Sequence, residues 1–282
     1  MKTSEILVDA IGYVRRFCGE IFVIKIGGEA LLDKDVVDSV AQDLILLNAL
    51  NIKTVVVHGG GVEISQAMEK FGKKPTFVRG LRVTDQETMD IVEMVMTGKV
   101  KQELTSRIQK HGGQAVGLSG KYGKLFEAVK KKGKVDLGLV GEVKKVNPKV
   151  VMTQLDGGYI PVISPIGFAP DGSSLNINAD TAASELAIAL VASKLIVLTN
   201  VDGVLDKNKS LIKRLTAADA KKLIGNGIIS EGMIPKVESC VKALKGGIAR
   251  THIVKASTHA VLEEILTTTG TGTMITLKKA AD

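Results

Sequence analysis

Apolar residues along the chain fall into short β-rich runs separated by longer stretches with helical periodicity. Seven runs read as strands: residues 21–26 (IFVIKI), 53–58 (KTVVVH), 114–119 (QAVGLS), 159–164 (YIPVIS), 195–200 (LIVLTN), 250–255 (RTHIVK) and 272–277 (GTMITL). Helical patterns lie between most of them, at 36–50, 62–72, 85–111, 181–193, 216–224 and 260–266. Continuous apolar strands alternating with helices predict a mostly parallel open sheet covered on both faces, an α/β protein of the three-layer αβα class. Residues 3–20 put Ile6, Leu7, Ala10, Ile11, Val14 and Phe17 on one helical stripe ahead of the first strand. That stripe needs a partner, either its own core or another subunit. Residues 121–148 break the rhythm with glycines, charges and short β-runs ending at Pro148, and predict a β-hairpin excursion over the C-terminal edge of the sheet. A helix-to-strand switch near 190–195 predicts two lobes, 21–192 and 193–282, after an N-terminal helix in residues 1–20.

Composition narrows the function classes. The 282 residues suffice for a large core. Cys18 and Cys240 are far apart without metal-type spacing, which predicts reduced thiols in a cytoplasmic protein and no metal site of the chain's own. No apolar run approaches the length of a membrane span, and Glu5, Asp9 and Glu20 argue against a transit peptide. The net charge of +8 would suit nucleic acid, but aromatics make up only 3% and none interleave with the basic runs. Lys130, Lys131, Lys132 and Lys134, with Lys144 and Lys145, therefore read as exposed hairpin tips. The positive field would draw in small anionic substrates instead.

The candidate chemistry sits where strands end. Glycine-rich turns follow four runs: GG at 27–28, HGGG at 58–61, LSGKYG at 118–123 and NVDG at 200–203. In an open parallel sheet ligands bind beyond the carboxyl ends of the strands, so the first two turns share a rim and each leads into a helix. Glycine lets backbone approach an anion, and helix N-termini offer free N–H groups. Lys25 precedes Gly27, the reverse of the usual P-loop order. Inside a dry layer an ammonium is costly, so Lys25 either snorkels as filler or reaches over the rim toward an anion. Arg82, in VRGLRVTD, suits a bidentate carboxylate or a structural ion pair. In LNINADTAASELAIAL, Asn176 and Asn178 alternate on one side of an extended segment, able to bind an amide and a carboxylate. Asp180 opens the helix that follows, as a cap or as an anchor for lysines. Lys236 begins another helix, with Gly232 and Met233 ahead of it.

Together, VIKIGG, VVVHGGG, GLRVTD, AVGLSGK, LGLVGEV, IPVISPIG, NINADTAA, EGMIPK and GTGTMI resemble the amino acid kinase family, in the expected order from about residue 10 to 277. Within it, GLRVTD with NINAD resembles members that act on N-acetyl-L-glutamate. The resemblance implies the amino acid kinase fold and transfer of the γ-phosphoryl group of MgATP to that substrate's side-chain carboxylate. Lys25 and Lys236 would stabilise the phosphoryl group, and Asp180 would hold the two lysines. Gly28, Gly60 and Gly61 would donate backbone N–H groups, with Gly27 beside the nucleotide phosphates. Arg82, Asn176 and Asn178 would hold the amino acid in the first lobe. Thr199, Asn200, Val204 and Met233 would meet the nucleotide in the second. Three departures flank these contacts: Val62 where proline is usual, Arg79 where asparagine is common, and Ser184 in place of a small glycine. AIGYVRRFCGE and LEEILTTTGTGTMI resemble the segments of arginine-inhibited members, implying an L-arginine site near Tyr13, Glu264 and Gly270 and a hexamer assembled as a trimer of homodimers. Rival readings are a kinase acting on an amino acid tethered to a carrier protein, kinases for glutamate, aspartate, carbamate or a nucleotide, and a silent arginine sensor on the same fold.

Overall fold

A computed structural model describes residues 3–230, 232–267 and 270–278, with the side chains of residues 3–7 and 9 outside the description. Ile6 and Leu7 of the N-terminal stripe, Glu231 of EGMIPK and Thr268–Thr269 of the TTTGTGT segment therefore lie outside it. Helix α1 (Thr3–Phe17) leads into β1 (Ile21–Ile26), a 3-10 turn (Glu29–Leu32), α2 (Lys34–Ala49), β2 (Lys53–His58) and α3 (Gly61–Lys70). A small hairpin, β3 (Phe77–Val78) and β4 (Leu81–Arg82), precedes α4 (Gln86–Glu93), a π-helical stretch (Met94–Val100) and α5 (Lys101–Lys110). Then come β5 (Ala115–Ser119), β6 (Phe126–Lys130), β7 (Gly141–Val146), α6 (Lys149–Asp156), β8 (Ile160–Ser164), β9 (Ile166–Phe168), β10 (Ser174–Asn176) and α7 (Ala179–Ala189). The chain closes with β11 (Lys194–Thr199), β12 (Arg214–Thr216), α8 (Ala217–Gly225), α9 (Ile234–Lys245), β13 (Arg250–Lys255), α10 (Ala260–Leu266) and β14 (Thr273–Thr276).

The main sheet has eight strands in the order β12-β14-β13-β11-β1-β2-β8-β5. Its pairs are parallel except β13 with β14. The strand period of two divides β1 between two cores. Phe22, Ile24 and Ile26 pack under α2, α5 and α10, whereas Val23 packs under α7 and α9. Each core contains large side chains with no solvent exposure, such as Leu47 on one side and Leu186 on the other. Full burial of such a leucine contributes about 1.5–3 kcal/mol. The layers follow directly from the sequence: a central strand apolar at successive positions must be covered on both faces.

All seven expected strands form, most within a residue of their expected ends. β12, β9 and β10 are additional; each is three residues long, too short for periodicity to reveal. The excursion at 121–148 contains the antiparallel pair β6–β7, with a register shift at Glu127/Ala128. It joins β9 and β10 in a second, four-stranded sheet. The region expected as one helix over 85–111 is wound as α4, a π segment and α5. Asp85 starts it by accepting from Thr88 N at 2.8 Å, and Lys73 clamps the same carboxylate at 2.7 Å. α1 divides its stripe: Phe17 is buried against Phe22, their rings 5.2 Å apart, while Val8 and Ile11 face outward. Among the described residues no helix is long and apolar enough to cross a membrane.

Candidate active site

β1, β2 and β11 run in parallel register, with Lys25 level with Val57 and Val197, so their ends form one rim. There the two glycine turns press together. A methyl on Gly59 would lie 3.0 Å from Gly28 N, and one on Gly28 would lie 3.0 Å from Gly61 N. Side chains at these positions would separate the turns and cover the N–H groups that open α3. Gly60 is confined from another side, since a methyl there would meet Met96 Sδ at 2.5 Å. The π stretch delivers Met96 to that spot, and its carbonyl lies 3.0 Å from Ser164 Oγ. Ser164 Oγ also lies 2.9 Å from His58 Nε2, while His58 Nδ1 donates to Gly59 O at 2.8 Å. Complete burial pushes the His58 pKa down to about 4, so a neutral imidazole anchors the second turn. The HGGG spelling marks the turn; that its histidine is a support for the turn is visible only in three dimensions.

Lys25 lies on the Val23 face of β1, beneath α7 and α9. Its ammonium is 2.9 Å from Asp180 Oδ1, and both side chains are 6% exposed. The ammonium sits off the axis of a hydrogen bond to that oxygen, so the contact is one of charge. Lys236 Nζ lies 3.9 Å from Asp180 Oδ2 and donates to Gly232 O at 3.1 Å. Burial lowers the Lys236 pKa, with Asp180 opposing that shift and Lys25 reinforcing it. Asp180 does not cap its helix. Asn178 does, accepting from Thr181 N at 3.0 Å, which leaves the Asp180 carboxylate between two ammonium groups.

Arg82 extends from β4 into the same cleft. It donates to Gly61 O at 2.7 Å and Ser65 Oγ at 2.8 Å, and its guanidinium lies 4.7 Å from the centre of the Phe77 ring. Among the described residues no carboxylate pairs with it, which removes the structural ion-pair reading. Burial alone lowers its pKa to about 10. A buried cation bound only to neutral acceptors is set to take an anion. Asn176 Nδ2 donates to Thr84 Oγ1 at 3.1 Å, and Thr84 in turn donates to Arg82 O at 2.8 Å, which ties the asparagine to the GLRVTD segment.

These residues line three adjoining spaces. Lys25, Gly28, Gly60, Gly61, Arg82, Asn176, Asn178 and Asp180 share a small cleft of about 200 Å³, lined also by Phe77, Leu81 and Val140. Lys25, Gly27, Gly28, Thr199, Asn200 and Lys236 share the next. Thr199, Asn200, Val204, Met233 and Lys236 line a wider one of about 570 Å³. Glu29, which nothing in the sequence marked beyond its place after the glycines, borders the second and third. Among the described residues no group of three or more His, Cys, Asp or Glu could hold a metal ion.

Away from the rim, Glu264 and Gly270 adjoin. The Glu264 carboxylate pairs with His252 Nδ1 at 2.6 Å and accepts from Thr271 N at 2.7 Å and Gly272 N at 2.9 Å. Its pKa is lowered against the opposing effect of its own burial, by the bond to His252 and those backbone N–H groups. Tyr13 stacks near Phe17 within the core that includes α10. Lys194, which sequence reading passed over, lies 4.6 Å from the centre of the Phe17 ring, and burial lowers its pKa to about 8.

A mostly parallel sheet whose neighbouring central strands β1 and β2 end at facing glycine turns, with two lysines bridged by one aspartate, defines a phosphate-handling α/β protein. The chain belongs to the amino acid kinase family, whose model matches residues 20–255. It is similar to the acetylglutamate kinase of Methanocaldococcus jannaschii, 49% identical over 290 aligned positions covering 98% of this chain and 97% of that one. A solved structure of N-acetylglutamate synthase from Neisseria gonorrhoeae with coenzyme A and N-acetyl-glutamate superposes with a TM-score of 0.89 at 27% identity; this chain is covered entirely but spans 65% of that one. The same synthase with coenzyme A and L-arginine gives 0.86 at 25% identity, covering 99% of this chain and 66% of the synthase.

Proposed function

We propose that the protein transfers the γ-phosphoryl group of ATP to the side-chain carboxylate of N-acetyl-L-glutamate. The products are N-acetyl-L-glutamyl 5-phosphate and ADP, and the step is the second of arginine biosynthesis, carried out in the cytoplasm. The observation that carries the reading is the Lys25–Asp180–Lys236 array at the junction of an anion-seeking cleft and a wider cleft. The full-length similarity to acetylglutamate kinases names the substrate.

The attacking group is a carboxylate, which needs no general base, so the protein's task is alignment and charge neutralisation. In this reading residues 21–192 form the amino-acid lobe and residues 193–282 the nucleotide lobe. Arg82 pairs with the α-carboxylate, Asn176 and Asn178 hold the remaining polar groups, and Gly60 and Gly61 direct N–H groups at the γ-carboxylate and the phosphoryl oxygens. Gly27 and Gly28 meet the phosphates, and Thr199, Asn200, Val204 and Met233 meet the nucleoside. Lys25 and Lys236 approach the transferring group from two sides while Asp180 fixes their separation. Magnesium bound with the nucleotide supplies further neutralisation of the β- and γ-phosphates.

Release of ADP from the purified protein, given MgATP and free N-acetyl-L-glutamate, tests the reading. Failure to turn over that free substrate, with the protein folded and ATP bound, would overturn it in favour of a tethered substrate. Arg82→Ala should raise KM for N-acetyl-L-glutamate while leaving kcat near its original value, because a carboxylate remote from the reacting atoms binds equally in ground and transition states. A loss confined to kcat would contradict the role given to Arg82.

We also propose feedback inhibition by L-arginine at a site near Tyr13, Glu264 and Gly270, in a hexamer in which α1 links homodimers. The outward-facing Val8 and Ile11 suit such a contact. Trimming residues 1–18 should abolish inhibition by added arginine and spare turnover. Equal inhibition of the trimmed and full-length enzymes would refute it.

A further inference from the structure

Within the cleft where the phosphates belong, Glu29 is the one carboxylate among the described lining residues. It is the first residue after Gly28, on the 3-10 turn, and its side chain is exposed to the cleft. One oxygen, Oε2, accepts from Asn200 Nδ2 at the end of β11; the other makes no hydrogen bond among the described residues. Glu29 also acts on Lys236, opposing the burial that lowers that lysine's pKa. It borders both the phosphate cleft and the wider cleft beyond it.

A negative side chain beside a polyphosphate repels it unless a cation lies between them. Of the other carboxylates lining the three clefts, Asp180 faces Lys25 and Lys236, and Asp206 borders only the wider cleft, where its Oδ1 accepts from Asn208 N at 2.8 Å and Ser210 N at 2.9 Å. Magnesium retains much of its water and is commonly held by one or two carboxylates together with substrate phosphates. Glu29 has a free oxygen, a place on the phosphate cleft beside Gly28 and Gly61, and the lateral support of Asn200.

We propose that Glu29, oriented by Asn200, is the carboxylate that receives the nucleotide's magnesium ion, directly or through its water shell. The assignment rests on the kinase reading above and adds the residue through which this chain distinguishes the metal complex of the nucleotide from the bare nucleotide. A carboxylate serving only to balance Lys236 would make no such distinction.

The test is calorimetric titration of the full chain with ADP, once with excess magnesium and once with the metal chelated. The unaltered protein should prefer MgADP. In Glu29→Gln, which keeps an acceptor for Asn200, that preference should shrink on the order of 10–100-fold, the usual cost of removing a group that orients a bound metal. The change should come from weaker MgADP binding, with metal-free ADP binding as well as before or better. Asn200→Ala should shift the ratio in the same direction. Manganese titrated into the ADP complex should show a resolved electron paramagnetic resonance signal from bound ion that is lost in Glu29→Gln. An unchanged ratio, or equal weakening of both forms, would overturn the role of Glu29 while leaving the kinase reading intact. Failure of the unaltered protein to bind ADP at all would overturn both.

Discussion

Lys25→Ala should lower turnover on the order of 10²–10³, and Lys236→Ala by a similar factor, the scale set by removing one preorganised donor from a developing negative charge. Lys25 is fixed against Asp180 at 2.9 Å at the end of a strand buried on both faces, so it needs little reorganisation when the phosphoryl group arrives. Lys236 is less enclosed and sits 3.9 Å from the same carboxylate. Burial lowers its pKa, so rising pH removes its charge earlier than that of a free lysine. Turnover should therefore fall along an alkaline limb that Lys236→Ala no longer shows. In the proposed reading the two lysines neutralise one group together, so the double variant should lose less than the product of the single losses. Thermal unfolding of each variant separates lost chemistry from lost fold. A folded Lys25→Ala enzyme that turns over within threefold of the original would remove Lys25 from the reaction.

The architecture was open to reading from the chain because its strands are unusually legible. Six-residue apolar runs such as IFVIKI, bounded by glycine, admit few alternatives once helices separate them. What stayed hidden was set by contacts between distant segments. The π winding of Met94–Val100 carries no distinct spelling, yet it brings Met96 against Gly60 and Ser164. β9, β10 and β12 are three-residue strands that exist through pairing, β9 with β10 and β12 with β14, which no local spelling announces. At the site, spacing could not decide whether Asp180 capped its helix, since an aspartate or an asparagine can occupy that position. The structure gives the cap to Asn178 and so frees Asp180. Arg82 was likewise ambiguous until its surroundings proved to be carbonyl, hydroxyl, thioether and ring. Glu29 and His58 show the complementary case: their positions beside glycines were visible, but not what each side chain touches.

Asp180→Asn should cost stability as well as turnover, and the two losses should respond differently to ligand. The substitution leaves the volume nearly unchanged and removes the charge that Lys25 faces. A buried lysine without its carboxylate should destabilise the fold by about 3–5 kcal/mol, the range for breaking a buried pair from one side. Denaturant titration at neutral pH would measure it. An anion entering the cleft supplies the missing charge, so saturating ADP or sulfate should raise the melting temperature of Asp180→Asn by more than it raises that of the original protein. Turnover should remain low even then, because two ammonium groups released from their common anchor no longer hold the separation that the transferring phosphoryl group requires. A variant as stable as the original, with no larger response to anions, would show that Asp180 does not hold the lysines. A stable variant with full turnover would move the chemistry elsewhere on the rim. The proposed roles thus have a thermodynamic logic: a buried carboxylate that keeps two cations in place would yield part of that task to the substrate's own charge when it binds.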